Sequence, residues 1–181
     1  MTEPSSSPSH RPLHIVTLCT GNATRSVIAQ LWLQRARPQW LVTGGGTLSI
    51  EGQPMSIRTR SALSRIGLVD PGHRSHQLVP ADALGADLVL AMEADHVEWI
   101  RREIPEAADR TVTLRRLLRD LPDASNEGRD LSERLADISP GEVTTESWED
   151  VIDPAGGEQP EFDRCADELD ELLTQLLPKL G

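Results

Sequence analysis

Residues Leu13 to Ser26 read LHIVTLCTGNATRS, and the join inside this stretch decides the fold. Leu13–Leu18 is a short apolar run with β-branched members, bounded by Pro12 and the Gly21-Asn22 turn signal, and it predicts a buried strand. From Ser26 onward Val27, Ile28, Leu31, Trp32 and Leu33 fall near helical spacing until Pro38 stops the run, which predicts a helix immediately after. Between strand and helix lie Cys19-Thr20-Gly21-Asn22-Ala23-Thr24-Arg25-Ser26. A loop that curls around an anion turns several backbone N–H groups inward, and the following helix adds its positive end. Gly21 and Asn22 tolerate the left-handed backbone that such a curl needs. Arg25 offers two parallel donors to phosphate oxygens, with a charge that cannot be lost. Cys19, set among donors near a helix N-terminus, has the surroundings that favour a thiolate nucleophile. Ser26 can donate a hydrogen bond to that sulfur. The loop from Thr20 through Gly21, Asn22, Ala23, Thr24 and Arg25 to Ser26 is therefore the candidate phosphate cradle.

Cys-x5-Arg alone arises by accident in an Arg-rich chain, and Cys19 would then be a small buried hydrophobe at a strand end. The strand before, the helix behind, Gly-Asn within and Ser after make the motif specific. The chain contains no Gly-Lys-Ser/Thr nucleotide loop, no Gly-x-Gly-x-x-Gly turn and no Cys/His spacing suited to zinc, so no metal or cofactor is expected. Farther along, Trp40–Thr43 predicts a second strand ending in Gly44-Gly45-Gly46. Residues 55–66 predict a helix closed by Gly67. Ala86–Met92 is apolar throughout, as a strand buried on both faces should be. Ala94–Glu103 predicts a helix, Arg110–Leu114 a fourth strand, and residues 120–150 an acidic excursion with one or two short helices. Glu161–Leu177 carries an apolar stripe of Phe162, Cys165, Leu169, Leu172, Leu173, Leu176 and Leu177, the mark of a closing amphipathic helix. Cys165 on that stripe reads as core packing. Strands alternating with helices imply an α/β fold: a parallel sheet with helices on both faces and a ligand site beyond the carboxyl ends of the strands.

The chain has 181 residues, the size of one domain, with 29 acidic and 18 basic side chains and a formal net charge of -11. Such a surface repels nucleic acid and anionic membranes, so neither is expected as a partner. Any phosphate site must be made attractive locally. Two cysteines cannot build a disulfide framework, and with no secretory signal in view a reducing, cytoplasmic setting is expected. Residues 1–12, rich in Ser and Pro, read as a disordered tail, and residues 13–181 as a single domain.

CTGNATRS after an apolar strand resembles the Cys-x-Gly-Asn-x-x-Arg-Ser loop of the low-molecular-weight protein-tyrosine-phosphatase family, bacterial type, whose fold the thioredoxin-type arsenate reductases share. The resemblance spans Leu13 to Leu177 and includes HRSHQL and ADLVLAMEADH. It implies a four-stranded parallel sheet in the flavodoxin-like phosphotyrosine phosphatase I arrangement. It also implies a phosphomonoester hydrolase acting through a phosphocysteine on Cys19, on a phosphorylated protein or small phosphate ester, as a monomer or weak dimer. The family's late Asp-Pro, here Asp153-Pro154, would supply the general acid that protonates the leaving oxygen and then activates water. Asp150 is a nearby rival. His73 aligns with a histidine that braces the loop Asn in relatives. Departures from the family pattern are Val27 after Ser26, Thr43-Gly44-Gly45-Gly46 where relatives carry a bracing Ser, Thr24 where some carry a second Cys, and Ala155-Gly156-Gly157 where tyrosine-specific members carry aromatics. Ser49-Ile50-Glu51 would form the facing wall. An arsenate reductase using an external thiol, or a catalytically weak phosphopeptide-binding module, would share the cradle. Retention of Cys19, Arg25 and Asp153 together favours the hydrolase.

Overall fold

The computed structural model describes residues 11–124 and 128–181, so the expected tail lies outside the described residues except for Arg11 and Pro12. Arg11 pairs with Asp87 at the amino end of the sheet. Four strands, β1 (His14–Cys19), β2 (Leu41–Gly46), β3 (Leu88–Ala91) and β4 (Thr111–Thr113), form one parallel sheet in the order β2-β1-β3-β4. Among the described residues seven α-helices connect or cover them: α1 (Arg25–Ala36), α2 (Ile57–Arg65), α3 (Pro80–Gly85), α4 (Ala94–Glu103), α5 (Leu114–Asp120), α6 (Leu131–Ile138) and α7 (Gln159–Leu180).

Alternation along the strands builds two cores. Ile15 and Cys19 of β1, and Leu88 and Leu90 of β3, face a large cluster with α1, α2, α5 and α7. Val16, Leu18 and Val89 face a smaller one closed by Ala83 of α3 and Ile100 of α4. Side chains of successive strand residues point to opposite faces, and both faces are covered, which is why β3 is apolar without interruption and β1 nearly so. Cys165 is 3% exposed within the large core, as its place on the stripe of α7 predicts.

Three elements depart from the periodicity. β2 continues through all three glycines, pairing Gly44 with Thr17 and Gly46 with Cys19. A Cβ on Gly44 would stand 2.6 Å from Gln30 Oε1 and 2.9 Å from Asn22 Nδ2, so close packing against the loop requires glycine in a strand it would otherwise weaken. Helix α3 was not expected; Pro80 starts it, and the Asp82 carboxylate accepts from Val79 N at 3.0 Å. Helix α5 follows β4 without a loop, and Thr113, its N-cap, accepts from Arg116 N at 3.3 Å.

Candidate active site

β1 is flanked by β2 on one side and β3 on the other; the chain leaves β1 toward β2 and leaves β3 in the opposite direction, toward β4. The carboxyl end of β1 is thus the switch point where an open α/β sheet places its ligand. Cys19 is the last residue of β1 and Arg25 the first of α1. Thr24, the N-cap of α1, makes no side-chain capping bond, and no acidic residue stands in the first turn. The N-terminal N–H groups of α1 are left to serve the loop.

Asn22 takes the left-handed conformation, φ 48°, and is 1% exposed. Its amide links the loop to the thiol. His76 N donates to Asn22 Oδ1 at 3.0 Å, and Asn22 Nδ2 donates to Ser26 Oγ at 2.9 Å. Ser26 Oγ lies 3.0 Å from Cys19 Sγ. Ser26 accepts from Asn22 and keeps its own proton free to donate to the sulfur. The Asn22 carbonyl oxygen is held by His73 Nε2 and by Ser75 Oγ, each at 2.9 Å. His73 thus reaches the backbone of Asn22, while the segment from Ser75 to His76 supplies the other bonds. These bonds, and the fit of Gly44 against Asn22, brace the loop at the place where the family resemblance implies a serine in β2. Thr24 Oγ1 meets Thr59 Oγ1 of α2 at 2.9 Å and ties the far side of the loop.

Arg25 is 1% exposed, and four groups fix its guanidinium. Nη1 donates to Glu93 Oε2 at 2.5 Å and to the Val151 carbonyl at 2.9 Å. Nη2 donates to Thr20 Oγ1 at 3.3 Å and to Asp153 Oδ2 at 2.7 Å. Burial lowers the Arg25 pKa, but the hydrogen bond to Glu93 and the charges of Asp153 and Cys19 outweigh it, and the net shift is upward. Asp153 also accepts from Ala155 N at 3.0 Å, and its side chain is 39% exposed, open toward an incoming group.

The loop that carries Asp153 is anchored from below. Val151 N donates to Met92 O at 2.8 Å, beyond the end of β3. Asp150 Oδ1 accepts from Ala94 N at 2.8 Å, at the start of α4. Asp150, the rival acid, is therefore engaged with the helix backbone, whereas Asp153 reaches the arginine. Glu149, 1% exposed, is bound by Arg116 Nη2 and, at 2.6 Å, by Thr113 Oγ1. That buried pair holds the 3-10 turn at Ser147–Glu149 against β4 and α5.

Sequence reasoning passed over Glu93, His96 and Ser75. Glu93 stands two residues beyond the end of β3, and the rule that located Cys19 at a strand end would have found it too. His96, 2% exposed, places Nε2 3.0 Å from Thr20 Oγ1 and 3.3 Å from Glu93 Oε1. Desolvation, with the charge of Arg25 as a smaller cause, lowers its pKa to about 3, so its ring is neutral. Among the described residues no group of three or more His, Cys, Asp or Glu is placed to hold a metal ion. No helix among them is long and apolar enough to cross a membrane.

Residues 14–137 match the family described as low molecular weight phosphotyrosine protein phosphatase. The chain is 29% identical over 170 residues to a protein-arginine-phosphatase of Geobacillus stearothermophilus, covering 93% of this chain and 97% of the relative. It is 27% identical over 123 residues to the low molecular weight protein-tyrosine-phosphatase Etp of Escherichia coli strain K12, covering 67% of this chain and 83% of the relative. Among solved structures, the YwlE arginine phosphatase of Geobacillus stearothermophilus superposes with a TM-score of 0.72 at 30% identity, covering 93% of each chain.

Proposed function

Since the chain belongs to the low molecular weight phosphotyrosine protein phosphatase family, and is a phosphatase of that family, we propose that Cys19, Arg25 and Asp153 carry out its chemistry. The Cys19 thiolate attacks phosphorus, the bond from phosphorus to the leaving atom breaks, and Asp153 transfers its proton to that atom. Water then attacks the phosphocysteine, Asp153 takes a proton from it, and the sulfur departs as a thiolate stabilised by the Ser26 hydroxyl. Arg25 and the N–H groups of Thr20 to Ser26 hold the phosphate oxygens and meet the charge that builds on them in the transition state. No step uses a metal or cofactor.

One observation carries this reading: Asp153 and the cradle meet on one guanidinium, with Asp153 Oδ2 2.7 Å from Arg25 Nη2. An acid from a remote loop is thereby placed at the mouth of the cradle. A phosphate dianion that draws Nη2 to its own oxygens releases the carboxyl for the leaving atom.

The substrate is a phosphorylated protein, with phosphotyrosine as the first reading. Phosphoarginine is the second. It is supported by the full-length likeness to a protein named for that activity, by Ala155 in place of an aromatic wall, and by the carboxylates of Glu93 and Asp153 beside Arg25, which suit a cationic leaving group. We take residues 13–181 as one catalytic domain, acting as a monomer or weak dimer. The test is Cys19→Ser on phosphotyrosine and phosphoarginine peptides. Turnover should vanish, while vanadate binding persists because the cradle and Arg25 remain. More than a trace of turnover would refute the covalent route.

A further inference from the structure

A groove of ≈ 550 Å³ runs along α4 beside the phosphate cradle and shares Thr20 and Glu93 with it. Asp95, His96, Glu98 and Trp99 of α4 line its length. Of its carboxylates, Glu93 is answered by Arg25 and Glu98 by Arg101 at 2.7 Å. Asp95 is exposed and has no ion-pair partner among the described residues, while Arg102, the basic residue of the rim, bonds to Glu103. Trp99 is half-buried, and the arginine–tryptophan stackings of the described residues involve Trp40 and Trp148. The Trp99 ring is left for a cation brought from outside.

His96, in the wall of the groove, turns Nε2 toward Thr20 and Glu93. It is 2% exposed, yet Nδ1 has no hydrogen-bond partner. A carboxylate oxygen 3.3 Å from Nε2 favours the tautomer that carries its proton there. Nδ1 is then a buried acceptor still lacking a donor, which has a cost unless a donor is supplied. The neutral ring also does not repel a cation.

We infer that this groove is a specificity subsite that takes an arginine or lysine side chain of the phosphorylated polypeptide, next in sequence to the phosphorylated residue. The inference rests on the phosphatase reading above and names the kind of protein substrate it prefers. Glu93 and Thr20 couple the two pockets: both touch the Arg25 guanidinium and both face the groove.

The experiment compares phosphotyrosine and phosphoarginine peptide series with Arg, Ala or Glu on either side of the phosphorylated residue. kcat/KM is normalised to hydrolysis of a plain aryl phosphate by the same protein. The wild type should prefer the Arg-flanked over the Ala-flanked peptide by roughly tenfold, the scale of one partly shielded ion pair with a cation–π contact. Asp95→Asn combined with Glu98→Gln and Trp99→Leu should bring that ratio close to unity, whereas the first two alone should leave only the smaller cation–π share of it. Glu106→Gln combined with Glu171→Gln removes the same charge from other elements and should leave the ratio intact. Equal handling of all peptides by the wild type would overturn the subsite and leave the phosphatase reading standing. So would a preference that survives loss of both carboxylates and Trp99, or one that falls equally with the Glu106 and Glu171 substitutions. Absence of turnover on the aryl phosphate and on both series would overturn the phosphatase reading itself, and the subsite with it.

Discussion

His96 makes the stability of this protein depend on pH in a way that can be worked out. Burial, with Arg25 as the lesser cause, lowers its pKa from 6.5 to about 3. A folded-state value below the unfolded one means that acid favours the unfolded chain. The stabilisation is whole above pH 6.5 and is lost as pH falls from there toward 3. Each unit corresponds to about 1.36 kcal/mol, so at pH 5 the loss from this one ring is about 2 kcal/mol. For a chain of this size that is a fall in Tm of about 4–8 °C. The comparison is His96→Gln, which removes the titration and keeps a polar side chain facing Thr20. Denaturant unfolding from pH 7.5 to pH 5 should show the wild type losing about 2 kcal/mol more than the variant, whatever their relative stabilities at pH 7.5. The carboxylates and remaining histidines are common to both proteins and cancel in the difference. Parallel curves would refute the reasoning, as would an NMR titration of the His96 ring near 6.5.

Asp153→Asn should slow hydrolysis of substrates with poor leaving groups by about 10²–10⁴-fold and an ester of a very acidic phenol far less. Asp150→Asn should weaken the start of α4 without that leaving-group dependence; if the dependence moves to Asp150, the wrong carboxylate has been assigned. Gly46→Ala puts a Cβ 2.1 Å from Ser49 Oγ and 2.5 Å from the Thr20 carbonyl, so it should cost about 1–3 kcal/mol and distort the cradle. Gly85→Ala meets nothing within 4 Å and serves as its control, measured by Tm and by vanadate affinity. Burial pushes the Cys165 thiol up to about 12, so an alkylating reagent at pH 7.5 should label native protein at Cys19 alone; label on Cys165 by mass spectrometry before unfolding would contradict this.

The local chemistry was legible from the chain itself. A strand, a five-residue loop and a helix stand consecutively, so the cradle is assembled from neighbours and its residue types carry their own reasons: glycine and asparagine for the curl, arginine for the anion, cysteine for attack. The central strands and the long closing helix were equally plain, because their apolar spacing follows from which faces are buried. Of the network that makes the loop a site, His73 and Asp153 were marked through the family resemblance, and the other partners were not legible. Asn22 is held from His73, Ser75 and His76, about fifty residues away, and Arg25 from Glu93, Val151 and Asp153, as far as 128 residues away. No local pattern marks such partners, since each is an ordinary polar residue until the sheet order brings it to the end of β1. The triple glycine of β2 shows the same limit in reverse. By propensity it ends a strand; in the fold it continues one, because the backbone must pass within contact distance of Asn22 and Thr20. Residue types set what this loop can do, and only the packing of distant segments around it decides which of those groups meet.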